Sequence, residues 1–237
     1  QLAQVTIARI VIEYAAFAAA RSSVVWIPAN LGLGDDQEEE NGIGRGRVWI
    51  NEVLAEDNRW YDIYQLDAGS DSPSRKVQRI RLAAAMACMS ISPSRAVGGS
   101  ALSIGPRAGE ALTRAFFAVA PDRVGNTRIP LRIRNKLAYA WRNTDVQIYV
   151  HHRRDRPFLS QHDVLRDYRE FAPNEIGFQD QIHVRVRHRF ALLPGPGRLL
   201  AAVVARPGSA APDTVAQRVI LSDQGVYTME LAATARV

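Results

Sequence analysis

Between Leu2 and Trp26 the chain has neither glycine nor proline, and apolar positions recur as Val5, Ala8, Val11, Ile12, Ala15, Ala16, Ala19 and Ala20. Spacings of three and four place these side chains along one side of a helix. Arg9 and Glu13, four apart, belong with Thr6 to its polar stripe. About 25 residues rising 1.5 Å each make a rod of roughly 37 Å, and Pro28 is placed to end it. Charged residues interrupt the apolar run well short of the ~18 residues a bilayer span needs, so no membrane crossing is expected here.

Asn30 to Gly46 reads as a glycine-rich acidic loop, with Arg45 and Arg47 after its acids. The following segment is ambiguous between a short strand at Val48 to Ile50 and helical turns after it. A second helix, capped by Ser72 or Ser74 beside Pro73, turns Val77, Ile80, Ala83, Ala84, Ala87 and Cys88 to one side and stops at Ser92 and Pro93. A third runs from Arg107 to Val119, before Pro121, and helical spacing persists through Leu131 to Asn143.

Beyond this point the period drops to two. In "QIHVRVRHRFALL", Ile182, Val184 and Val186 fall on one side while His183, Arg185 and Arg187 fall on the other. "TDVQIYVHH" and the terminal Tyr227 to Val237 alternate in the same way. Strands with one apolar face suit an antiparallel sheet. The expected fold class is therefore α+β, with a long N-terminal helix packed on a C-terminal antiparallel sheet and with additional helices and loops. The expected division is a helix at 1–28 and a globular head at 29–237.

Composition adds limits. The 237 residues can bury a core without staples, and the one cysteine, Cys88, excludes an internal disulfide and a cysteine-based zinc site. Of 30 basic residues only Lys76 and Lys136 are lysines, so the net charge of +6 rests on arginine. Those arginines are spread among acids rather than gathered, so nucleic acid is not the expected partner. The chain begins at Gln1 rather than Met, with the expectation that an upstream segment was removed.

Candidate chemistry is sparse. With Gly42 at the sixth position of a calcium loop, the twelfth is Val48 instead of a glutamate, so the helix-loop-helix calcium pattern fails in the acidic stretch 35–40; a looser calcium site stays open. Gly42, Gly44 and Gly46 do not fit a dinucleotide fingerprint. On strands His151 and His152 point to opposite faces, as do His183 and His188, so neither pair ligates one metal. His162 precedes Asp163, which reads as a helix cap. Cys88 lies on an apolar helix face and reads as a small core residue. No serine sits in a hydrolase elbow. No catalytic residue, metal ligand or cofactor is expected, and the chain reads as non-enzymatic. The arginines of "HHRRDRP" and "HVRVRHR" form a basic cluster in which Arg153, Arg154, Arg185 and Arg187 are candidate contacts for an anionic partner.

Three stretches, "EYAAFAAARSSVVWIP", "KVQRIRLAAAMACMSISPS" and "QIHVRVRHRFALLPGPGRLLA" followed by "YTMELAATARV", together resemble the TadE-like pilins and pseudopilins of tight-adherence (Tad) pilus systems. The resemblance implies a structural or accessory (minor) subunit of an extracellular filament. It implies an inner-membrane precursor, handled by membrane assembly machinery before export and placed finally at the cell surface. The implied partners are copies of itself or other pilins. The assembly helix would use its small side chains Ala15, Ala16, Ala19 and Ala20 for close approach, with Glu13 and Arg21 marking where it leaves apolar surroundings. Val5 stands where a type IV pilin carries glutamate, and the long uncharged lead-in is missing. The alternative expectation is a non-enzymatic binding module for anionic ligands, nucleic acid or envelope polysaccharide, using the arginine-bearing strands.

Overall fold

A computed structural model describes residues 2–29, 49–54, 60–66, 75–97, 106–154, 180–192, 219–221 and 226–237. Helix α1 spans Leu2–Trp26, β1 Trp49–Leu54, β2 Trp60–Leu66, α2 Arg75–Cys88, α3 Pro106–Val119, α4 Arg128–Asn143, β3 Thr144–Arg154, β4 Gln181–Ala191, β5 Val219–Leu221 and β6 Tyr227–Arg236. The strands are ordered β1-β2-β3-β4-β6-β5. The fold is α+β, the N-terminal helix packing on the antiparallel sheet of the C-terminal half, with further helices.

The segment after residue 48 departs from expectation. It forms a hairpin of two strands, which resolves the ambiguity between strand and helical turns, and these extend the sheet beyond the C-terminal half. "WINEVL" and "WYDIYQL" are dense in aromatic and β-branched residues, which fit a pleated surface better than a helix. Trp49 faces Tyr64 and Leu54 faces Trp60 across the hairpin, with a register shift between Ile50 and Val53. From Trp60↔Arg154 to Leu66↔Ile148 the β2–β3 ladder is antiparallel and unbroken. The short strand β5, which carries no alternation long enough to read, pairs with the start of β6.

The chain forms two compact units, each of which takes part of α1. One contains Gln1–Ala15, Ala85–Thr144 and Arg187–Ala233. Its interior includes Ala8, Ile12, Ala15, Ala85, Cys88, Leu137, Tyr139, Ala140, Phe190 and Leu231. Here the Leu192 N–H donates to the Tyr227 carbonyl at 2.8 Å, joining β4 to β6. Helices α3 and α4 meet closely at Gly109, where an added Cβ would lie 3.1 Å from Cγ of Arg134.

The second unit contains Ala16–Ala84, Asp145–Val186 and Thr234–Val237. Ala16, Ala19, Ala20 and Ile27 from α1 and its exit are buried in it, as are Val77, Ile80 and Ala84 of α2. Val146, Ile148 and Val150 of β3 and Ile182, Val184 and Val186 of β4 supply the sheet side. Ile182 and Val237 exchange both backbone hydrogen bonds, at 2.8 and 3.0 Å, which fixes β4 and β6 antiparallel. The exit of α1 is held by α2. Nζ of Lys76 donates to the Ile27 carbonyl at 2.9 Å, and the Arg79 guanidinium carbon lies 4.0 Å from the Trp26 ring centroid.

Candidate functional site

Helix α1 is apolar on two sides. Its inner side carries Ala8, Ile12, Ala15, Ala16, Ala19, Ala20 and Ser23, all buried. Small side chains let a helix backbone sit close to what it covers, and Ser23 satisfies its hydroxyl within the helix by donating to the Ala19 carbonyl at 2.9 Å. The outer side carries Ile7, Ile10, Tyr14, Phe17 and Val24, spaced three, four, three and seven apart, with Val25 beside them. Ile7, Ile10, Tyr14 and Val25 are 57, 62, 63 and 61% exposed. That spacing makes a stripe along one side of the helix, interrupted between Phe17 and Val24 by exposed Arg21.

Charge on this side is sparse, and Arg21, four after Phe17 and three before Val24, falls within it. Arg9 and Glu13 form an exposed i,i+4 pair at 3.7 Å. Arg21 lies over the Phe17 ring, 5.8 Å from its centroid. The alanines expected to serve assembly are buried within the chain itself. Ala15, Ala16, Ala19 and Ala20 are consumed by the protein's own core, because their small size serves close helix–sheet approach. Glu13 and Arg21 face outward, beside the large exposed apolar residues. The signal for the outer stripe lay in the sequence, since Ile7, Ile10, Tyr14 and Phe17 also follow helical spacing.

A second correction concerns the membrane. Ala3–Trp26 is one helix long and apolar enough, by length and composition, to cross a bilayer, with 33% of its apolar window buried inside the protein. The expectation that no such segment exists counted only uninterrupted apolar runs. A spanning window can hold two charges when, as with Arg9 and Glu13, long side chains pair or reach outward.

A buried polar cluster lies in the first unit, where α2, α4, β3 and β4 contribute Cys88, Tyr139, Thr144 and His188. Thr144 Oγ1 is 2.8 Å from His188 Nδ1. Cys88 shares a hydrogen bond with Thr144. Tyr139 presents its ring edgewise to the imidazole and donates its hydroxyl to the Arg189 carbonyl at 2.8 Å. His188 Nε2 has no hydrogen-bond partner among the described residues. Burial pushes the Cys88 thiol up to about 12, against a smaller opposing effect of Thr144, and pushes the His188 imidazole down to about 4. At neutral pH both are uncharged. A thiol held protonated beside a neutral imidazole is not an activated nucleophile, and Cys88 acts as core.

The outer face of β4 carries Gln181, His183, Arg185, Arg187 and Arg189, which alternate with buried neighbours. Arg185 is exposed, while Nε of Arg187 is buried without a hydrogen-bond partner among the described residues. Arg153 and Arg154 end β3 opposite Tyr61 and Trp60, their side chains lying outside the described set. The acidic stretch 35–40, Gly42, Gly44, Gly46, His162 and Asp163 also lie outside the described residues.

His151 of β3 and His183 of β4 stack face to face, with ring centroids 3.9 Å apart and planes 28° from parallel. Comparing histidines within single strands missed this pair, because it forms across two strands 32 residues apart in the chain. Burial, His183 and then Arg236 hold His151 down to about 4, and burial followed by Arg236 lowers His183. No set of three or more histidine, cysteine, aspartate or glutamate residues suited to a metal occurs among the described residues. Compared with family models, curated proteins and solved structures, the chain finds no significant match.

Proposed function

We propose that the protein is a TadE-like pilin, a structural or accessory subunit of a Tad-type filament at the cell surface, reached through an inner-membrane precursor. It acts by assembly and not by catalysis. One observation carries the reading: after α1 has buried its small-residue side, a second side bearing Ile7, Ile10, Tyr14, Phe17, Val24 and Val25 stays exposed. An apolar stripe of this length on a soluble surface is costly in water and marks an interaction or membrane face. Copies of this chain or related pilins are the partners that such a helix would meet, helix against helix, during export and in the fibre.

The test follows the chain in its own cells. It should be recovered in the sheared surface fraction, and the double variant Ile10→Glu, Phe17→Glu should fold but leave that fraction. Recovery entirely in the cytosol, or a variant distributed like the parent, would overturn the reading. Nε of Arg187, without a hydrogen-bond partner among the described residues and flanked by outward-facing Arg185 and Arg189, favours a second one, a binding module for anionic ligands. That reading requires an affinity for polyanions that falls steeply with salt.

A further inference from the structure

From the cross-strand stacking of His151 on His183 we infer a binding site for a divalent transition metal of the Ni(II) or Zn(II) type. Imidazole nitrogen is the ligand these ions favour, and two imidazoles can occupy neighbouring positions on one ion while water fills the rest. The rings already touch, so binding needs a rotation about side-chain bonds and no movement of backbone. That backbone is held on both sides. His151 is paired to Ile63 in the β2–β3 ladder, and His183 follows Ile182, whose N–H and carbonyl both engage Val237. Both rings sit on the half-buried outer face of the sheet, open enough for an ion to enter.

The side-chain oxygen of Gln181 lies 3.4 Å from His183 Nε2, where it can accept that nitrogen's hydrogen and leave the Nδ1 lone pair for an ion. Burial disfavours the protonated form of both imidazoles. The influence opposing a metal ion is Arg236, whose charge acts on both rings and whose exposed side chain can swing into solvent. This gives the site a distinctive signature, since removal of that positive charge should strengthen binding.

Calorimetric titration of the full chain with NiCl2 and ZnCl2 at pH 7.5 tests the site. One saturable ion per chain is expected, accompanied by a rise in thermal midpoint. His151→Gln and His183→Gln should each weaken binding by at least about tenfold, the least that a change in a metal's ligand shell costs. Arg236→Gln should tighten it. Circular dichroism of each variant confirms the fold, and the half-exposed position of both rings makes glutamine tolerable. The proposal is overturned by absence of saturable binding below about 1 mM, or by binding that survives in the double histidine variant. An Arg236→Gln variant no tighter than the parent would overturn it too.

Discussion

The ammonium of Lys76 is hydrogen-bonded to the carbonyl of Ile27 at 2.9 Å, with the lysine only 1% exposed. The last carbonyls of a helix lack intrahelical donors and carry partial negative charge, so a buried cation there is both bonded and electrostatically favoured. Lys136, the chain's other lysine, does the same for the turn after α2, reaching the Met89 and Ser90 carbonyls at 3.2 and 3.3 Å. In a chain that otherwise uses arginine for its positive charge, both lysines sit on helix-end carbonyls, where a compact ammonium fits and a planar fork does not.

Replacement of Lys76 by alanine should therefore destabilise the fold by about 2–4 kcal/mol, combining an orphaned buried carbonyl with a cavity. Lys76→Arg should also be destabilising, through overpacking, whereas Lys136→Arg, at a partly exposed site, should change stability by under about 1 kcal/mol. Urea unfolding of the three variants measures this. Equal tolerance of arginine at both positions would contradict the packing argument.

The buried imidazole of His188 predicts acid sensitivity. Above pH 6.5 His188 is neutral whether the chain is folded or unfolded. Below it the unfolded chain takes up a proton that the folded chain refuses until about pH 4, so the unfolded state gains and stability falls between these values. A shift of this size at a fully buried group corresponds to about 3 kcal/mol. His151, lowered in the same direction but partly solvated, adds less. Denaturant midpoints taken from pH 7.5 to 4.5 should fall in the parent and fall less in His188→Asn, which keeps a polar group for Thr144 without the titration. Parallel curves would show that His188 is not responsible.

The α+β layout was readable because period 3.6 marks the helices up to Asn143, period 2 marks the long strands after it, and Pro28, Pro93 and Pro121 punctuate the chain. β1 and β2 were harder. Six or seven residues of mixed aromatic and acidic character do not distinguish a strand from a helical turn, and their identity is settled by pairing with each other and, for β2, with β3 far along the chain. The site divided in the same manner. A helical spacing says that two apolar stripes exist on α1 but not which one the sheet will take, and here the small side chains won because they permit closer approach. The His151–His183 stack and the Cys88–Thr144–His188 cluster depend on strand register and helix docking, which no local pattern encodes.

The division of α1 into inner and outer sides makes opposite predictions for similar residues. Ala16→Leu and Ala19→Leu insert bulk where the core has no room, and each should destabilise the monomer by about 1–3 kcal/mol. Ile10→Glu and Phe17→Glu should leave the thermal midpoint within a few degrees of the parent while improving solubility and removing self-association. Differential scanning calorimetry with analytical ultracentrifugation separates the two sets. A large loss of midpoint in Ile10→Glu would mean that the outer side is already covered within the monomer.

Cys88 offers a test of how tightly the buried cluster is closed. The thiol is inaccessible, and with its ionisation pushed up to about 12 almost none is thiolate at pH 8. Reaction with an aromatic disulfide reagent should therefore wait for an opening event that exposes α2 and breaks the bond to Thr144. In native buffer the labelling should be far slower than for a free thiol. Its rate should rise with urea, and the steepness of that rise reports how much surface the opening exposes. Thr144→Val removes the hydrogen-bond partner of both Cys88 and His188 while preserving volume, so it should accelerate labelling by destabilising the closed state. Rapid stoichiometric labelling of the native parent would show instead that the cluster is open to solvent and that Cys88 is available for chemistry.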